Sequence, residues 1–334
     1  MTDCEQTAPS QPSPTPCFTL QWHITHRCNL HCTHCYQEDR SAFAERGAMD
    51  RVLDQFDALL ELTGCRGHVN VTGGEPLTHP ELFGLLRRIR ERGHSFALLT
   101  NGTLIGREEA RLLKSLGASY VQVSLDGMRK THDAIRGAGA FDAAVDGLCR
   151  LLREDVDATV AFTAQSENRR QLPALAVFCR DLGVRKLWYD RVVIPADRDE
   201  KSLSLTAKQA RRLMRTGARL QRSCPVTNQR ALQFRRARPK QIYRCEAGRH
   251  LLALLADGTV MPCRRLPIPV GNVLETDLCT IWRTAPTLQA LREETVPSDC
   301  EGCRYAESCR GGARCIAYAK TGRWDLRDPD CGME

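Results

Sequence analysis

The sequence predicts an α/β fold built on a parallel sheet, and two observations carry that prediction. Short apolar stretches rich in β-branched residues recur along the chain, at Thr19–Thr25, His68–Thr72, Ser95–Thr100, Tyr120–Leu125, Asp157–Thr163 and Lys186–Val193. Amphipathic helical patterns lie between them, at Pro80–Arg92, Arg107–Leu116, Phe141–Arg153 and Leu172–Leu182. Six strand–helix units in series favour parallel strands with right-handed crossovers, as in a doubly wound sheet or a barrel, complete or partial. In each of these architectures ligands bind where strands end and loops begin.

The second half of the chain follows a different pattern. Thr206–Arg222 is predicted as one more helix, after which Pro, Arg and Cys dominate. Leu251–Leu255 and Thr259–Met261 flank Asp257-Gly258, which predicts a hairpin with a type I′ turn. We therefore expect three parts: a disordered tail over residues 1–17, a strand–helix domain over 18–222 and a small cysteine-rich domain over 223–334.

Composition narrows the class of protein. The hydrophobic fraction of 42% and the charged fraction of 26% are typical of a globular chain. We find no apolar run that could span a bilayer and no secretory signal, so we expect a cytoplasmic protein without a membrane partner. Disulfides are rare in the cytoplasm, yet the chain has 17 cysteines. Metal or cluster ligation is the interpretation that accounts for them.

Three cysteines follow the first predicted strand, at Cys28, Cys32 and Cys35. A complete cubane iron–sulfur cluster normally takes four cysteines, so three thiolates leave one iron open to another ligand. Zinc is the alternative, with His31 or His34 as a fourth ligand, but structural zinc sites usually combine two Cys-x-x-Cys pairs. The spacing therefore favours a cluster.

This cysteine spacing, together with the motifs at the ends of the following strands, resembles the signature of the radical S-adenosylmethionine (SAM) superfamily. Those motifs are Thr72-Gly73-Gly74-Glu75-Pro76, Thr100-Asn101-Gly102, Ser124-Leu125-Asp126-Gly127 and a loop at Asp133–Gly137. The resemblance implies a partial (β/α)6 TIM-like barrel with SAM bound at the open iron. It implies that the Gly73-Gly74-Glu75 segment holds the amino group of SAM, and the glycines would let the backbone approach the ligand. The full set of cofactor contacts that it implies is His34, Tyr36, Gly73, Gly74, Glu75, Asn101, Ser124, Asp126 and Arg136.

The C-terminal cysteines are similar to the seven-cysteine SPASM domain, which binds two auxiliary 4Fe–4S clusters. The resemblance implies that Cys245, Cys263 and Cys315 serve the nearer cluster. It implies that the farther cluster is bound by Cys300, Cys303, Cys309 and Cys331. Two features depart from the family pattern: five residues instead of three precede Cys315, and no further cysteine lies shortly before Cys245. The nearer cluster is therefore expected to have three protein ligands and an open iron, with Cys224 and Cys279 as candidate substitutes.

The resemblance implies one-electron cleavage of SAM and hydrogen abstraction from a substrate by a 5′-deoxyadenosyl radical. The substrate that we expect is a ribosomally made peptide. The alternative is a tetrapyrrole side chain, as in heme d1 or alternative heme synthesis. A non-catalytic iron–sulfur electron carrier is a third reading, but it leaves the strand-end motifs unexplained.

Positive charge is concentrated in the segment from Lys201 to Val270. This segment contains sixteen Lys or Arg residues and only two acidic residues, Glu246 and Asp257, a local excess of +14. This segment is either a docking surface for an acidic substrate or a solvated face. If it is a docking surface, we expect its contacts at Arg235, Arg236, Arg238 and Lys240. We also expect a flavodoxin- or ferredoxin-type reductant and a separate peptide-recognition protein, and no nucleic-acid partner.

Overall fold

The structure is a computed structural model that describes residues 15–35, 37, 42–194, 203–227, 231–233, 243–293 and 295–332. Tyr36, the residues expected to form the tail up to residue 14, and the four basic residues from Arg235 to Lys240 lie outside the described residues.

A single parallel run of strands forms the centre of the molecule. Its six strands are β1 (Cys17–His23), β2 (Arg66–Thr72), β3 (Ser95–Thr100), β4 (Tyr120–Ser124), β5 (Ala158–Ala164) and β6 (Lys186–Arg191). They pair in chain order, each parallel to the next. A doubly wound sheet reverses its strand order at a switch point, and this sheet does not. The α/β partial barrel is therefore confirmed, and the doubly wound alternative is wrong.

The two edges of this run carry further strands. β7 (Val226–Thr227) pairs parallel to β6, while β8 (Leu251–Leu254) pairs parallel to β1. Two more strands, β9 (Thr259–Met261) and β10 (Gly271–Asn272), extend the sheet beyond β8 in antiparallel fashion. The cysteine-rich part is therefore joined to the barrel by strand pairing.

The helices of the described residues lie between and after these strands. They are α1 (Arg46–Thr63), α2 (Leu82–Glu91), α3 (Arg107–Ser115), α4 (Arg129–Arg136), α5 (Ala140–Arg153), α6 (Leu172–Leu182), α7 (Ala207–Leu220), α8 (Leu278–Thr284), α9 (Pro286–Arg292), α10 (Ala306–Cys309) and α11 (Arg314–Thr321). Single 3-10 turns occur at Pro76–Thr78, Arg169–Gln171 and Ser298–Cys300. None of the described helices combines the length and the apolar character that crossing a bilayer requires. The five predicted helices are confirmed, whereas α1, α4 and the helices after α7 were not predicted.

The predicted hairpin is present, but its turn type is wrong. β8 and β9 pair antiparallel, and Leu255 to Gly258 connect them. A type I′ turn needs positive φ at both central residues. Gly258 has a φ of 87°, but Asp257 is not among the described residues with positive φ. The connection therefore has four residues, and glycine occupies its last, left-handed position.

Strand alternation separates two faces of the sheet. Phe18, Leu20 and Trp22 of β1 point toward the helices and are at most 1% exposed. The residues between them point to the opposite face, which we call the inner face. The inner face carries polar side chains. On it, Tyr120 donates a hydrogen bond through its hydroxyl to Asn70 Oδ1 at 3.0 Å. A polar inner face is better suited to binding a polar ligand than to packing against an apolar core.

Candidate metal and cofactor site

A cavity of about 210 Å³ opens at the carboxyl ends of the strands. The three cysteines of the loop after β1 line it together with residues from the ends of β2, β3 and β4. Its lining residues are Gln21, His26, Cys28, Leu30, Cys32, His34, Cys35, Gln37, Thr72, Gly73, Gly74, Leu99, Thr100, Asn101, Gln122, Ser124 and Arg136. The structure thus brings six of the expected cofactor contacts to one cavity: His34, Gly73, Gly74, Asn101, Ser124 and Arg136. It does not place Glu75 or Asp126 in the lining.

The glycine pair after β2 is required by the protein's own backbone. A Cβ on Gly73 would lie 2.4 Å from the Thr25 carbonyl oxygen, and one on Gly74 would lie 2.2 Å from the Arg27 carbonyl oxygen. Gly74 N donates to Thr25 O at 2.7 Å. Any larger side chain would push away the segment that leads into Cys28. The two glycines are therefore needed to hold the cysteine loop in place. This reason differs from the one that the sequence suggested, which was a close approach of the backbone to the ligand.

Glu75 lies behind the cavity wall. Its carboxylate is 0% exposed and accepts hydrogen bonds from Thr100 Oγ1 at 2.7 Å, Asn101 N at 2.7 Å and Leu77 N at 3.1 Å. Burial raises the pKa of Glu75 to about 6, although these three donors oppose the rise. In the structure, the Glu75 carboxylate contacts the turn after β3. A direct contact between Glu75 and SAM stays a prediction.

Asn101 connects that turn to the cysteine loop. Its Nδ2 donates to Asn29 Oδ1 at 2.9 Å and lies 4.0 Å from Cys28 Sγ. Its Oδ1 accepts a hydrogen bond from Thr103 N at 2.9 Å. Glu75 and Asn101 therefore form a chain of hydrogen bonds that holds the loop beside β3.

Arg136 lies between a carboxylate and a thiol. Its Nε donates to Asp126 Oδ2 at 2.7 Å, and its Nη1 lies 3.8 Å from Cys32 Sγ. Burial alone would raise the pKa of Asp126, but the Arg136 guanidinium lowers it below its ordinary value. Burial raises the pKa of the Cys32 thiol, and Arg136 opposes that rise. Asp126 therefore orients the Arg136 guanidinium.

The segment Asp133–Gly137, which the sequence analysis expected to be a loop, is the last turn of α4 and its C-cap.

His34 is oriented by two protein groups. Its Nδ1 lies 3.0 Å from Gln165 Nε2, and its Nε2 lies 3.8 Å from Asp126 Oδ2. Burial lowers the pKa of His34, so the ring is neutral at pH 7. The sequence analysis missed Gln165, although its position directly after β5 is the signal that could have found it. It also missed Gln21 and Gln122, polar residues at inner-face positions of strands.

The C-terminal cysteines form two groups. Cys245, Cys263 and Cys315 pack on one small apolar cluster. Burial raises the pKa of the Cys315 thiol to about 11, and the nearby Cys245 adds to the rise. Cys224 lies near Cys179 instead, and Cys279 lies in α8 against the main core. Neither candidate substitute is placed with the group of three.

The second group brings together Cys300, Cys303, Cys309 and Cys331. Burial raises the pKa of the Cys309 thiol to about 12, and the other three cysteines each add to the rise. Neighbouring thiolates destabilise one another because they carry like charges. A bound metal relieves this repulsion, because it stabilises the deprotonated form of each cysteine.

These donor sets fit clusters better than single ions. A single zinc ion needs its sulfur ligands at about 2.3 Å, so they must converge on one point. Within the described ranges, no group of three His, Cys, Asp or Glu side chains could hold one metal ion. The thiols of Cys28, Cys32 and Cys35 instead lie around a cavity, as ligands of separate irons of one cubane do. Both ring nitrogens of His34 face protein groups, which argues against His34 as a zinc ligand.

A parallel partial barrel with a three-cysteine loop at the end of its first strand defines a class of cluster-bearing α/β enzymes. Comparison with family models makes the assignment specific. Residues 22–178 match the radical SAM superfamily, and residues 245–304 match SPASM, an iron–sulfur cluster-binding domain. The chain is a radical SAM enzyme with a SPASM domain, and its cofactors are SAM and 4Fe–4S clusters.

Relatives of two kinds match almost the whole chain. An AdoMet-dependent heme synthase of Methanosarcina barkeri (strain Fusaro / DSM 804) is 26% identical over 337 residues, covering 93% of this chain and 95% of that protein. A PqqA peptide cyclase of Gluconobacter oxydans (strain 621H) is 26% identical over 342 residues, covering 96% and 92%. The fold is similar to that of anSMEcpe, solved with AdoMet and a Cp18Cys peptide, with a TM-score of 0.77, 18% identity and coverage of 95% and 94%.

Proposed function

We propose that this enzyme binds SAM in the cavity between the cysteine loop and strands β2 to β4, and that it modifies a peptide side chain on the inner face of the barrel. The observation that carries the proposal is that one cavity is lined both by the thiols of Cys28, Cys32 and Cys35 and by the turns after β2 to β4. A 4Fe–4S cluster held by these thiols would supply the electron for reductive cleavage of SAM to methionine and a 5′-deoxyadenosyl radical.

The residues of the cavity have separate roles in this proposal. Gly73 and Gly74 hold the cysteine loop in place and present backbone to the amino group of SAM. Arg136, oriented by Asp126, is the positive group for the carboxylate of SAM. In this proposal neutral His34 packs near the adenine and the Ser124 hydroxyl binds the ribose, since both residues line the cavity.

The inner face supports a side chain as the substrate. Gln21 and Gln122 lie on it and line the cavity, and Asn70 and Tyr120 are joined by a hydrogen bond on the same face. These amide and hydroxyl groups offer hydrogen bonds to a polar side chain of a substrate. The peptide cyclase relative supports the same substrate class. A protein reductant and a separate peptide-recognition protein complete the proposed system.

Tetrapyrrole modification is the second candidate. It is supported by the heme synthase relative, whose match covers nearly all of both chains. Incubation of the reconstituted enzyme with iron coproporphyrin III, and separately with peptides encoded beside its gene, distinguishes the two. Mass loss from a propionate supports the tetrapyrrole, and a mass change confined to a peptide supports our proposal.

The SAM chemistry is tested without any substrate. Anaerobically reconstituted protein with dithionite should release 5′-deoxyadenosine, measured by liquid chromatography and mass spectrometry. Joint replacement of Cys28, Cys32 and Cys35 by Ala should abolish the release and remove one cluster's worth of iron. The matched control replaces Cys65, Cys149 and Cys279 by Ala, three cysteines that do not line the cavity. If the control loses as much iron, or if the protein yields only methylated product and S-adenosylhomocysteine, the proposal is wrong.

A further inference from the structure

Four exposed cations share one face of helix α7: Lys208, Arg212, Arg215 and Arg219. They follow one another at spacings of four, three and four residues, which places them one above another along the helix. The buried residues of α7 lie on the opposite face. At a rise of 1.5 Å per residue, the four cations extend over about 16 Å. We call them the basic stripe.

No acidic side chain neutralises the basic stripe among the described residues. The helix itself contains no Asp or Glu, and none of the four side chains forms an ion pair or a hydrogen bond with a residue that the structure describes. Cations on other helices are paired, for example Arg88 with Asp50, Arg92 with Asp54 and Lys114 with Asp155. Like charges three or four residues apart destabilise a helix. An acidic partner would remove this repulsion.

The helix that carries the basic stripe packs beside the farther group of cysteines. The Arg211 guanidinium, also on α7, lies against Gly332, which directly follows Cys331. Lys320 of α11 donates a hydrogen bond to Leu205 O at 3.0 Å, two residues before the helix begins. A partner that binds the basic stripe is therefore brought close to the segment that carries Cys331.

The shape of the surface favours a folded partner over a peptide. An exposed helix is convex, whereas peptides are usually held in a groove or added to a sheet edge. An acidic face of a folded protein can approach several cations along one helix, and such complementarity guides association. The thiols of the farther group fit an iron–sulfur cluster, so a protein that docks here comes close to a redox centre.

We propose that the basic stripe is the docking surface for an acidic, folded protein that carries single electrons. The inference rests on the proposed function, which needs a protein reductant, and it holds for either substrate class. In the exchange one electron passes from the reduced carrier to the cluster of the farther group. The carrier is oxidised by one electron and the cluster is reduced by one, and no bond or proton is transferred.

The first test is binding of an acidic flavodoxin to the anaerobic holoenzyme, measured by calorimetry. Joint replacement of Arg212, Arg215 and Arg219 by Gln should weaken binding about tenfold at low salt, as expected for three exposed ion pairs. The difference should shrink as salt is raised from about 50 mM to about 500 mM. The melting temperature of the variant should not fall, because the substitutions relieve repulsion. A fall would give the stripe a structural role and overturn the proposal.

The matched control replaces Arg66, Arg87 and Arg153 by Gln. These three arginines are exposed and lie on separate elements, so the control has the same net charge as the variant of the stripe. It should bind flavodoxin like the wild type, and an equal loss in both variants would mean that only net charge matters. A Glu-rich peptide and a DNA duplex are titrated in parallel. If either binds the stripe more tightly than flavodoxin, the occupant proposed here is wrong.

The second test is reduction, followed by stopped-flow absorbance in protein whose Cys28, Cys32 and Cys35 are all replaced by Ala. Reduced flavodoxin should bleach the remaining clusters about tenfold more slowly when the stripe carries its three Gln substitutions, and dithionite should act equally on both proteins. Equal flavodoxin rates, or no reduction by flavodoxin, would overturn the docking surface. Release of 5′-deoxyadenosine with dithionite is measured on the otherwise unchanged enzyme. Its absence refutes the proposed function, whereas release with unchanged flavodoxin binding refutes the docking surface alone.

Discussion

Arg136 Nε donates to Asp126 Oδ2 at 2.7 Å, and both side chains are almost fully buried, at 10% and 0% exposed. The same guanidinium lies 3.8 Å from Cys32 Sγ. This pair therefore joins the turn after β4 to the cysteine loop, two segments far apart in the sequence. The carboxylate fixes the orientation of a cation at the cavity wall.

Asp126→Asn should remove the carboxylate that orients the Arg136 guanidinium. The substitution keeps the shape and removes the charge, so Arg136 loses its partner, and we expect SAM to bind about tenfold more weakly. Loss of one partner of a buried pair should also cost about 3–5 kcal/mol of stability. Equilibrium dialysis and thermal unfolding measure the two effects. Asp142→Asn is the control, because its pair with Arg129 is exposed. Equal SAM affinity in both variants would show that Asp126 does not position Arg136.

Gly74→Ala should damage the first cluster without touching a cysteine. Its Cβ would meet the Arg27 carbonyl oxygen at 2.2 Å, so the chain leading to Cys28 must move. We expect the loss of up to one cluster's worth of iron and of 5′-deoxyadenosine formation. Gly47→Ala is the control, since the nearest atom to its Cβ lies 3.9 Å away. Full iron loading of the Gly74 variant would contradict this role of the glycine.

Glu75 should give the stability of the protein a pH dependence. Because burial raises its folded pKa to about 6 from 4.5, Glu75 binds its proton more tightly when folded. Its contribution is present at low pH and is lost as pH rises through about 6, with a span of about 2 kcal/mol. Thermal unfolding of the wild type and of Glu75→Gln between pH 4 and 7.5 measures it. The difference between the two curves should change most between the unfolded pKa of 4.5 and the folded pKa of about 6, and parallel curves would count against the buried carboxylate.

Cys315→Ala should remove iron, and Cys224→Ala and Cys279→Ala should not. Cys315 lies with Cys245 and Cys263 in the structure, whereas the other two cysteines pack against the main core. Iron and sulfide analysis with electron paramagnetic resonance of the reduced protein measures the nearer cluster. Normal spectra from Cys315→Ala, or loss of the signal from either control, would reassign the ligands.

Local signals in the sequence were enough for the strand–helix series and for the motifs at strand ends. Cys28, Cys32 and Cys35 lie within eight residues of sequence, and Gly73 and Gly74 are adjacent, so the sequence alone displays each motif. Other features escaped sequence analysis. The helix α1 has a regular apolar face from Met49 to Leu60 but was not recognised, and the hairpin turn at Asp257 was assigned from a dipeptide whose backbone conformation the neighbouring strands decide.

The sequence by itself determined the class of fold, the cysteine-rich ending and the chemistry of the cavity, because residue type and short-range spacing encode them. Only the tertiary structure decided why Gly74 must be glycine, since the atom that it would strike belongs to Arg27, 47 residues earlier. It also decided that neither Cys224 nor Cys279 lies with Cys245, Cys263 and Cys315, and that His23 is buried with no hydrogen-bond partner among the described residues. These are properties of contacts between distant segments, and close packing of the folded chain determines them.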